Sequence, residues 1–323
     1  MKRFFKIGLM LSLVIGVGTT GVQQAAQIQQ TSVPEEIYIP IVTKAMESPF
    51  WRPVKLGAER AANDYGLKIT FEGTKRGATA QEQLDILRKV LDKHPQAIIF
   101  SALDSKAATP YLEEAQAEGI PVIGIDSGVD SPIVKTTVAT DNYGAGTLAA
   151  EKMAELIGGT GKVGLIVLDR SSKVGIDRGD GFVDTLTQNY PNIEVIPVAY
   201  NEGDETRSKE IARDIIIANS DIKGMFGASE NSAIGIMNAV RELNKEDQIT
   251  IIGFDLDRVA DAVRAGNIAG AIAQNPVDMG YKAVEAAYKA YKGEANPEFI
   301  DTGFAWYDKS NIDSPEIKAL LYE

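Results

Sequence analysis

Two series of strand-like and helix-like segments, similar in size and laid end to end, predict an α/β protein of two similar doubly wound parallel-sheet lobes. Three observations carry this. Short runs rich in β-branched residues are apolar on both faces, as strands covered on both sides must be. The segments between them repeat their apolar residues every three to four positions, which is helical spacing. No Pro/Gly/Ser-rich stretch separates the two series, so lobes joined by crossing strands are expected rather than beads on a string. Such an architecture favours a hinge over a cleft.

The first series begins at Glu36. Strands are predicted at 37–42, 67–71, 97–100 and 121–125, where Ile, Val and Phe dominate. Between them, Val54, Ala58, Ala61 and Tyr65 mark one helix, and Leu84, Leu87 and Leu91 mark another. The second series opens near Asp141 with a helix over 142–157. Strands follow at 163–168, 193–198, 224–227 and 249–254, each trailed by a helical segment. The pattern then shortens to a strand at 269–274, a helix over about 279–291, a last strand at 299–306 and a short tail helix.

The N-terminus reads as an address. Lys2, Arg3 and Lys6 precede an apolar stretch over 7–17, and small and polar residues follow. A positive start, an apolar segment too short to span a bilayer and a small-residue end describe a secretory signal peptide. Residues 1–30 are therefore taken as signal and flexible leader, the Gln-rich stretch over 23–33 lying outside the fold. The alternative, a membrane anchor, needs about 20 apolar residues. Losing the three cations, with no acid among the first thirty residues, moves the net charge from −12 to −15.

Composition narrows the chemistry. With 33 Lys+Arg against 45 Asp+Glu, the chain lacks the cationic surface that exchanges counterions with phosphates, so nucleic acid is not an expected partner. No cysteine means no disulfide, thiolate nucleophile or lipidated anchor. The single histidine, His94, has no second imidazole for a metal site; beside Pro95 it reads as a capping or exposed residue at a helix end. No metal and no cofactor is expected.

Two motifs imitate known sites. Gly158-Gly159-Thr160-Gly161-Lys162 suggests a phosphate loop, but Leu156 and Val163 occupy positions that need Gly and Ser/Thr, and a strand follows where a helix should open. A helix C-cap and turn is the better reading. Asp255, Asp257 and Asp261 suggest a calcium loop but lack its Gly and closing Glu.

In open α/β sheets the ligand sits outside the carboxyl ends of the strands. The first series offers Thr43, Lys44, Phe50 and Trp51, then Ser101 and Asp104, then Asp126 and Ser127. The second offers Asp169, Arg170 and Asn201, then Ser229 with Glu230, Phe254 with Asp255, and Gln274. Carboxylates and amides make paired hydrogen bonds to adjacent hydroxyls while aromatic rings cover C–H faces, which suits a polyhydroxylated ligand. Singly, each residue has an ordinary alternative. Loop aspartates cap helices, Phe50 and Trp51 can open a buried helix face, and Ser229-Glu230 can be an N-cap. Asp126 with Asp255 could also do acid–base work, which keeps a carbohydrate-processing enzyme as a rival.

Over about 36–323 the chain resembles the sugar-binding periplasmic proteins of ABC importers, in the ribose-binding-protein-like group of the type I fold. The resemblance rests on Ser48-Pro49-Phe50-Trp51, Gly119-Ile120-Pro121-Val122, Ile125-Asp126, Thr140-Asp141-Asn142, Asp177-Arg178-Gly179-Asp180-Gly181-Phe182, Phe226-Gly227-Ala228-Ser229-Glu230, Ile252-Gly253-Phe254-Asp255 and Ala271-Ile272-Ala273-Gln274, in this order and spacing. Repressors of the lactose type share the fold but carry an N-terminal helix-turn-helix where this chain has its export signal.

The resemblance implies that Phe50 and Trp51 flank a sugar ring and that Phe254 opposes them. Asp126, Arg178, Asp255 and Gln274 match positions that bond sugar hydroxyls; Arg178 comes from the resemblance alone. Three hinge crossings are implied near Thr140 to Asn142, Ala273 to Asn275 and Thr302-Gly303. They place an N-terminal lobe at 36–139 plus 276–303 and a C-terminal lobe at 140–275 plus 304–323. The chain departs from the ribose pattern at Lys44, which replaces a small hydroxyl residue, at Ser127, which replaces an arginine, at Ser229, which replaces an asparagine, and at Gly203, near an expected aromatic. A pentose, hexose, polyol or mildly acidic sugar all remain open as ligands.

The reading is an exported, non-enzymatic binding protein, monomeric and free of a lipid anchor, periplasmic or extracellular. It captures a small sugar or polyol through Lys44, Phe50, Trp51, Asp126, Ser127, Arg178, Ser229, Glu230, Phe254, Asp255 and Gln274, and hands it to an ABC permease. A sensing module for a membrane receptor is the second reading.

Overall fold

The computed structural model describes residues 36–321. The expected signal peptide and leader fall outside the described residues. From the first series come β1 (Tyr38–Thr43), α1 (Trp51–Tyr65), β2 (Lys68–Gly73), α2 (Ala80–Leu91), β3 (Ile98–Phe100), α3 (Thr109–Ala117), β4 (Val122–Ile125) and β5 (Thr136–Ala139). From the second come α4 (Asn142–Ile157), β6 (Gly161–Val167), α5 (Lys173–Asn189), β7 (Ile193–Val195), β8 (Ala199–Tyr200), α6 (Glu205–Ala218), β9 (Ile222–Gly227), α7 (Glu230–Glu242), β10 (Thr250–Phe254), α8 (Arg258–Ala265) and β11 (Gly270–Gln274). The chain closes with α9 (Pro276–Tyr291), β12 (Phe299–Asp301), β13 (Phe304–Asp308) and α10 (Pro315–Leu321).

These strands form two sheets, ordered β12-β5-β4-β3-β1-β2 and β13-β11-β10-β9-β6-β7, with β8 pairing to β6. The two orders correspond strand for strand, so β4 and β10 occupy equivalent places. Apolar clusters cover both faces of each sheet, which is why the central strands β3, β4 and β10 are apolar on both sides through most of their length.

Three details differ from the sequence-based expectation. The last strand, expected over 299–306, is two: β12 joins the first sheet beside β5, and β13 joins the second beside β11. Gly303 sits between them at φ 78°, where a side chain is disfavoured, and β13 runs antiparallel to β11 in an otherwise parallel sheet. The strand expected at 193–198 ends at Val195, since Pro197 has no N–H for the ladder; pairing resumes at β8. The short β5, with two threonines and little apolar signal, was not expected.

Between β5 and α4, β11 and α9, and β12 and β13 the backbone passes from one sheet's lobe to the other. The three passages are tied together. Thr140 Oγ1 donates to Gln274 Oε1 (2.8 Å), the Asp141 N–H donates to Asp301 Oδ1 (3.2 Å) and the Thr302 N–H donates to the Ala139 carbonyl (3.0 Å). Helix α9, reached by the second passage, returns to pack on α1. A Cβ at Gly57 would overlap the Val277 carbonyl and one at Gly280 would overlap the Val54 carbonyl, so the two backbones touch only because both positions are glycine.

Candidate functional site

The carboxyl ends of the strands in both sheets border one cavity of about 370 Å³. From the first lobe come Lys44 after β1, Phe50 and Trp51 at the start of α1, and Asp126 after β4. From the second come Arg178 on α5, Ser229 and Glu230 at the start of α7, Asp255 after β10 and Gln274 ending β11. Nine of the eleven residues expected from the sequence thus meet at one place.

Asp126 and Lys44 form one corner. Lys44 Nζ lies 2.9 Å from Asp126 Oδ2, with side chains only 11% and 6% exposed, and Ser101 Oγ donates to the same oxygen at 3.0 Å. Breaking a buried pair of this kind by removing one partner typically costs about 3–5 kcal/mol, because the remaining charge is left desolvated. Asp126 takes a left-handed backbone conformation, φ 58°, uncommon for a residue with a side chain. Its N–H still continues the sheet by bonding the Val138 carbonyl (3.0 Å).

The opposite corner is built the same way. Asp255, at φ 74°, bonds through its N–H to the Ile272 carbonyl (2.9 Å). Gln274 Nε2 donates to Asp255 Oδ1 at 2.6 Å, and the Glu230 N–H donates to Oδ2 at 3.3 Å. Gln274 is oriented in turn by Thr140, so this corner is coupled to the first interlobe passage.

Arg178 is buried, only 3% exposed. Its Nε donates to Asn142 Oδ1 (2.8 Å) and its Nη1 to the Ala228 carbonyl (2.9 Å), while the guanidinium stacks 3.6 Å from the centre of the Phe254 ring. Burial pulls its pKa down, and the carboxylates of Asp255 and Asp126 pull it back up. Glu230 is pushed the other way: burial raises its carboxyl, Asp255 and Asp257 add to the effect, and Arg258, 2.8 Å away through Nε, opposes it.

Two expected residues stand elsewhere. Phe254 is 0% exposed, packed with Phe182 and Phe226 in the core; it supports the face of Arg178 rather than lining the cavity. Ser127 is buried behind Asp126, its hydroxyl without a partner among the described residues, and its carbonyl accepts the Ala102 N–H (3.0 Å). Ser229 has both of the roles read from the sequence, since it caps α7 by accepting from the Ser232 N–H and also borders the cavity. Trp51 likewise lines the cavity and opens the buried face of α1. His94 is exposed and faces Glu118 (3.0 Å), and Gly158 is the left-handed cap of α4.

Other wall residues were missed. Lys75 and Arg76 follow β2, so the strand-end rule applied to that strand would have found them. Glu202 follows β8 and Asn231 lies in the first turn of α7. At the mouth, the Ser105 N–H donates to the Ser171 carbonyl (3.1 Å) and Ser171 Oγ donates to the Leu103 carbonyl (3.3 Å), joining the lobes directly.

In all, Lys44, Lys75, Arg76 and Arg178 stand against six carboxylates in the wall, so the cavity is not a basic one. It is small, partly enclosed and rich in paired donors and acceptors.

Solved structures share this fold. The chain superposes with a TM-score of 0.85 on a carbohydrate transporter solute binding protein from Agrobacterium radiobacter in complex with D-arabinose, at 33% identity over 90% of this chain and all of that one. It superposes at 0.83 on an ABC transporter solute binding protein from Agrobacterium vitis with bound D-fucose, at 30% identity over 88% of this chain and all of that one. It is 26% identical to the ribose import binding protein of Bacillus subtilis, over 89% of this chain and 92% of that protein. Residues 39–295, which hold every wall residue named above, match the family model described as the periplasmic binding protein domain, and the chain belongs to that family.

Proposed function

We propose that this chain is the substrate-binding protein of an ABC importer, holding a small neutral sugar or polyol between its lobes and delivering it to a membrane permease. The observation that carries this is the convergence of two corners from different lobes, Lys44–Asp126 and Gln274–Asp255, with Trp51, on one cavity of about 370 Å³. That volume is at the small end of ligand pockets, about 300–1,000 Å³. Each corner offers both a donor and an acceptor, which matches a hydroxyl pair. Six carboxylates against four cations disfavour a strongly anionic ligand.

The mechanism follows from the geometry. The passages at residues 139–142, 274–276 and 301–304 act as the hinge between lobes 36–139 plus 276–303 and 140–275 plus 304–323. A ligand touching both corners has contacts in the closed form that the open form cannot supply, so binding shifts the population towards closure. A micromolar Kd needs about 8 kcal/mol, within reach of several hydrogen bonds and a stacked ring. Family membership supports export to the periplasm and a permease partner; the protein acts as a monomer.

A thermal-shift and calorimetric screen of D-arabinose, D-fucose, D-ribose, other hexoses and polyols tests the reading, since a ligand that binds only the folded state raises its melting temperature. One or more neutral sugars should bind and be recovered unchanged. Failure of every sugar and polyol, or chemical conversion of a bound one, would overturn it.

A further inference from the structure

Tyr307 is the largest fully buried side chain that reaches the site from outside its wall. It lies on β13, which is separated from β10 by β11, and its register partner on β11 is Ala271, whose methyl group leaves the ring room to extend across. Its hydroxyl lies 2.7 Å from the main-chain carbonyl of Asp255. Asp255 is at φ 74°, outside the conformations a residue with a Cβ prefers, and such a geometry persists only where its surroundings over-determine it. Its N–H is tied to β11; Tyr307 ties its carbonyl, so both ends of the strained residue are held. Asp126, the equivalent residue of the other lobe, has no hydrogen bond to its carbonyl among the described residues, and there the side-chain contacts of Lys44 and Ser101 hold the corner.

We propose that Tyr307 is a positioning residue for the ligand corner: its hydroxyl locks the left-handed backbone of Asp255, and so aims the carboxylate shared by Gln274 and the Glu230 N–H. Burial, reinforced by the negative field of Asp255 and Glu230, holds the phenol proton well above the ordinary tyrosine range, so the hydroxyl remains a donor throughout the range in which the protein works. The residue sits four positions after Gly303, in the strand entered from the third passage, so movement at that passage is transmitted to the corner by a rigid ring. The Tyr307 hydroxyl thus reaches the Asp255 carbonyl from β13, an edge strand two places away from β10.

This inference rests on the sugar-binding reading, and the test separates the two. Tyr307→Phe keeps the ring and its packing, and Ile312→Val trims the same apolar cluster without touching Asp255. Affinity is measured by calorimetry with whichever of D-arabinose, D-fucose and D-ribose binds the wild type most tightly. Amide hydrogen exchange at Asp255 is measured in sugar-free protein. Tyr307→Phe should weaken binding about tenfold, the loss expected for one hydrogen bond, and speed exchange at Asp255, while Ile312→Val lowers the melting temperature and leaves both unchanged. Wild-type affinity and unchanged Asp255 exchange in Tyr307→Phe would overturn the proposal, as would parallel effects from Ile312→Val. If no sugar binds the wild type, the functional reading fails and the exchange measurement alone decides the role of Tyr307.

Discussion

Asp126 and Asp255 are the same residue in two lobes. Each follows the third strand from one edge of its sheet, each has a positive φ (58° and 74°), and each N–H bonds the next strand, at Val138 and Ile272. Each carboxylate is then met by a side chain of its own lobe, Lys44 or Gln274. The cavity is therefore a duplicated corner facing itself, differing in that one corner carries an ammonium and the other an amide.

Arg178 joins the second lobe's helices to the cavity through Asn142, Ala228 and Phe254. Arg178→Ala should weaken sugar binding by about 2–5 kcal/mol, since truncation strands buried partners. Arg178→Lys should recover little of this, because an ammonium cannot reproduce the planar fork or the stacking. Calorimetry of both variants checks it; wild-type affinity in Arg178→Ala would remove the residue from the site.

Removing one member of the Lys44–Asp126 pair leaves a buried charge. Lys44→Met should lower unfolding free energy by about 3 kcal/mol in urea, and Lys44→Met with Asp126→Asn should recover a large part of it, although neither binds sugar well. Equal stability of the single and double variants would show that the pair is not desolvated as the geometry indicates.

The raised Glu230 carboxyl has a pH consequence. A folded-state pKa above the unfolded value of 4.5 means that the folded protein holds this proton more tightly, so the contribution of Glu230 is fully favourable below about pH 4.5 and is lost as pH rises through the folded value. Glu230→Gln removes the ionisation while an amide oxygen still accepts from Arg258, which keeps Glu205 as a charged partner. The variant should be more resistant to urea than the wild type at pH 7, with the advantage shrinking towards pH 4. A constant offset across that range would contradict the assignment.

Ser171 joins the lobes at the mouth. Ser171→Ala removes the bond from its hydroxyl to the Leu103 carbonyl, worth about 0.5–1.5 kcal/mol, and should shift the sugar-free protein towards a more open form. Small-angle scattering should show a larger radius of gyration without sugar and a wild-type value with it. No difference in the sugar-free form would mean that the contact does not bias closure.

Much of this was written in local pattern. Strands apolar on both faces, such as Ile39 to Val42, and helices with Val54, Ala58 and Ala61 on one side announce buried parallel sheets because the spacing of apolar residues is set by the backbone's own period. Strand-end residues such as Lys44, Asp126 and Gln274 were legible for the same reason: once the strand is known, its end is known. Arg178 was not legible by that rule, since it lies inside a helix. A sign was present, because Val174, Arg178 and Phe182 lie at four-residue spacing and put a charge on a buried stripe.

Other features depend on distances that no local pattern contains. Phe254 ends a strand like its neighbours, but which side of the backbone faces the cavity depends on the packing of Phe182 and Phe226. The division of residues 299–308 between two sheets depends on where β5 and β11 have been carried by the rest of the chain. Tyr307 and Asp255 are 52 residues apart, and their bond exists only because one alanine-lined strand lies between them. Hydrophobic periodicity and turn residues act over a few positions and so specify the elements and their ends; a two-lobed cavity is made by contacts between residues far apart in the chain, and those are settled when the lobes fold and meet.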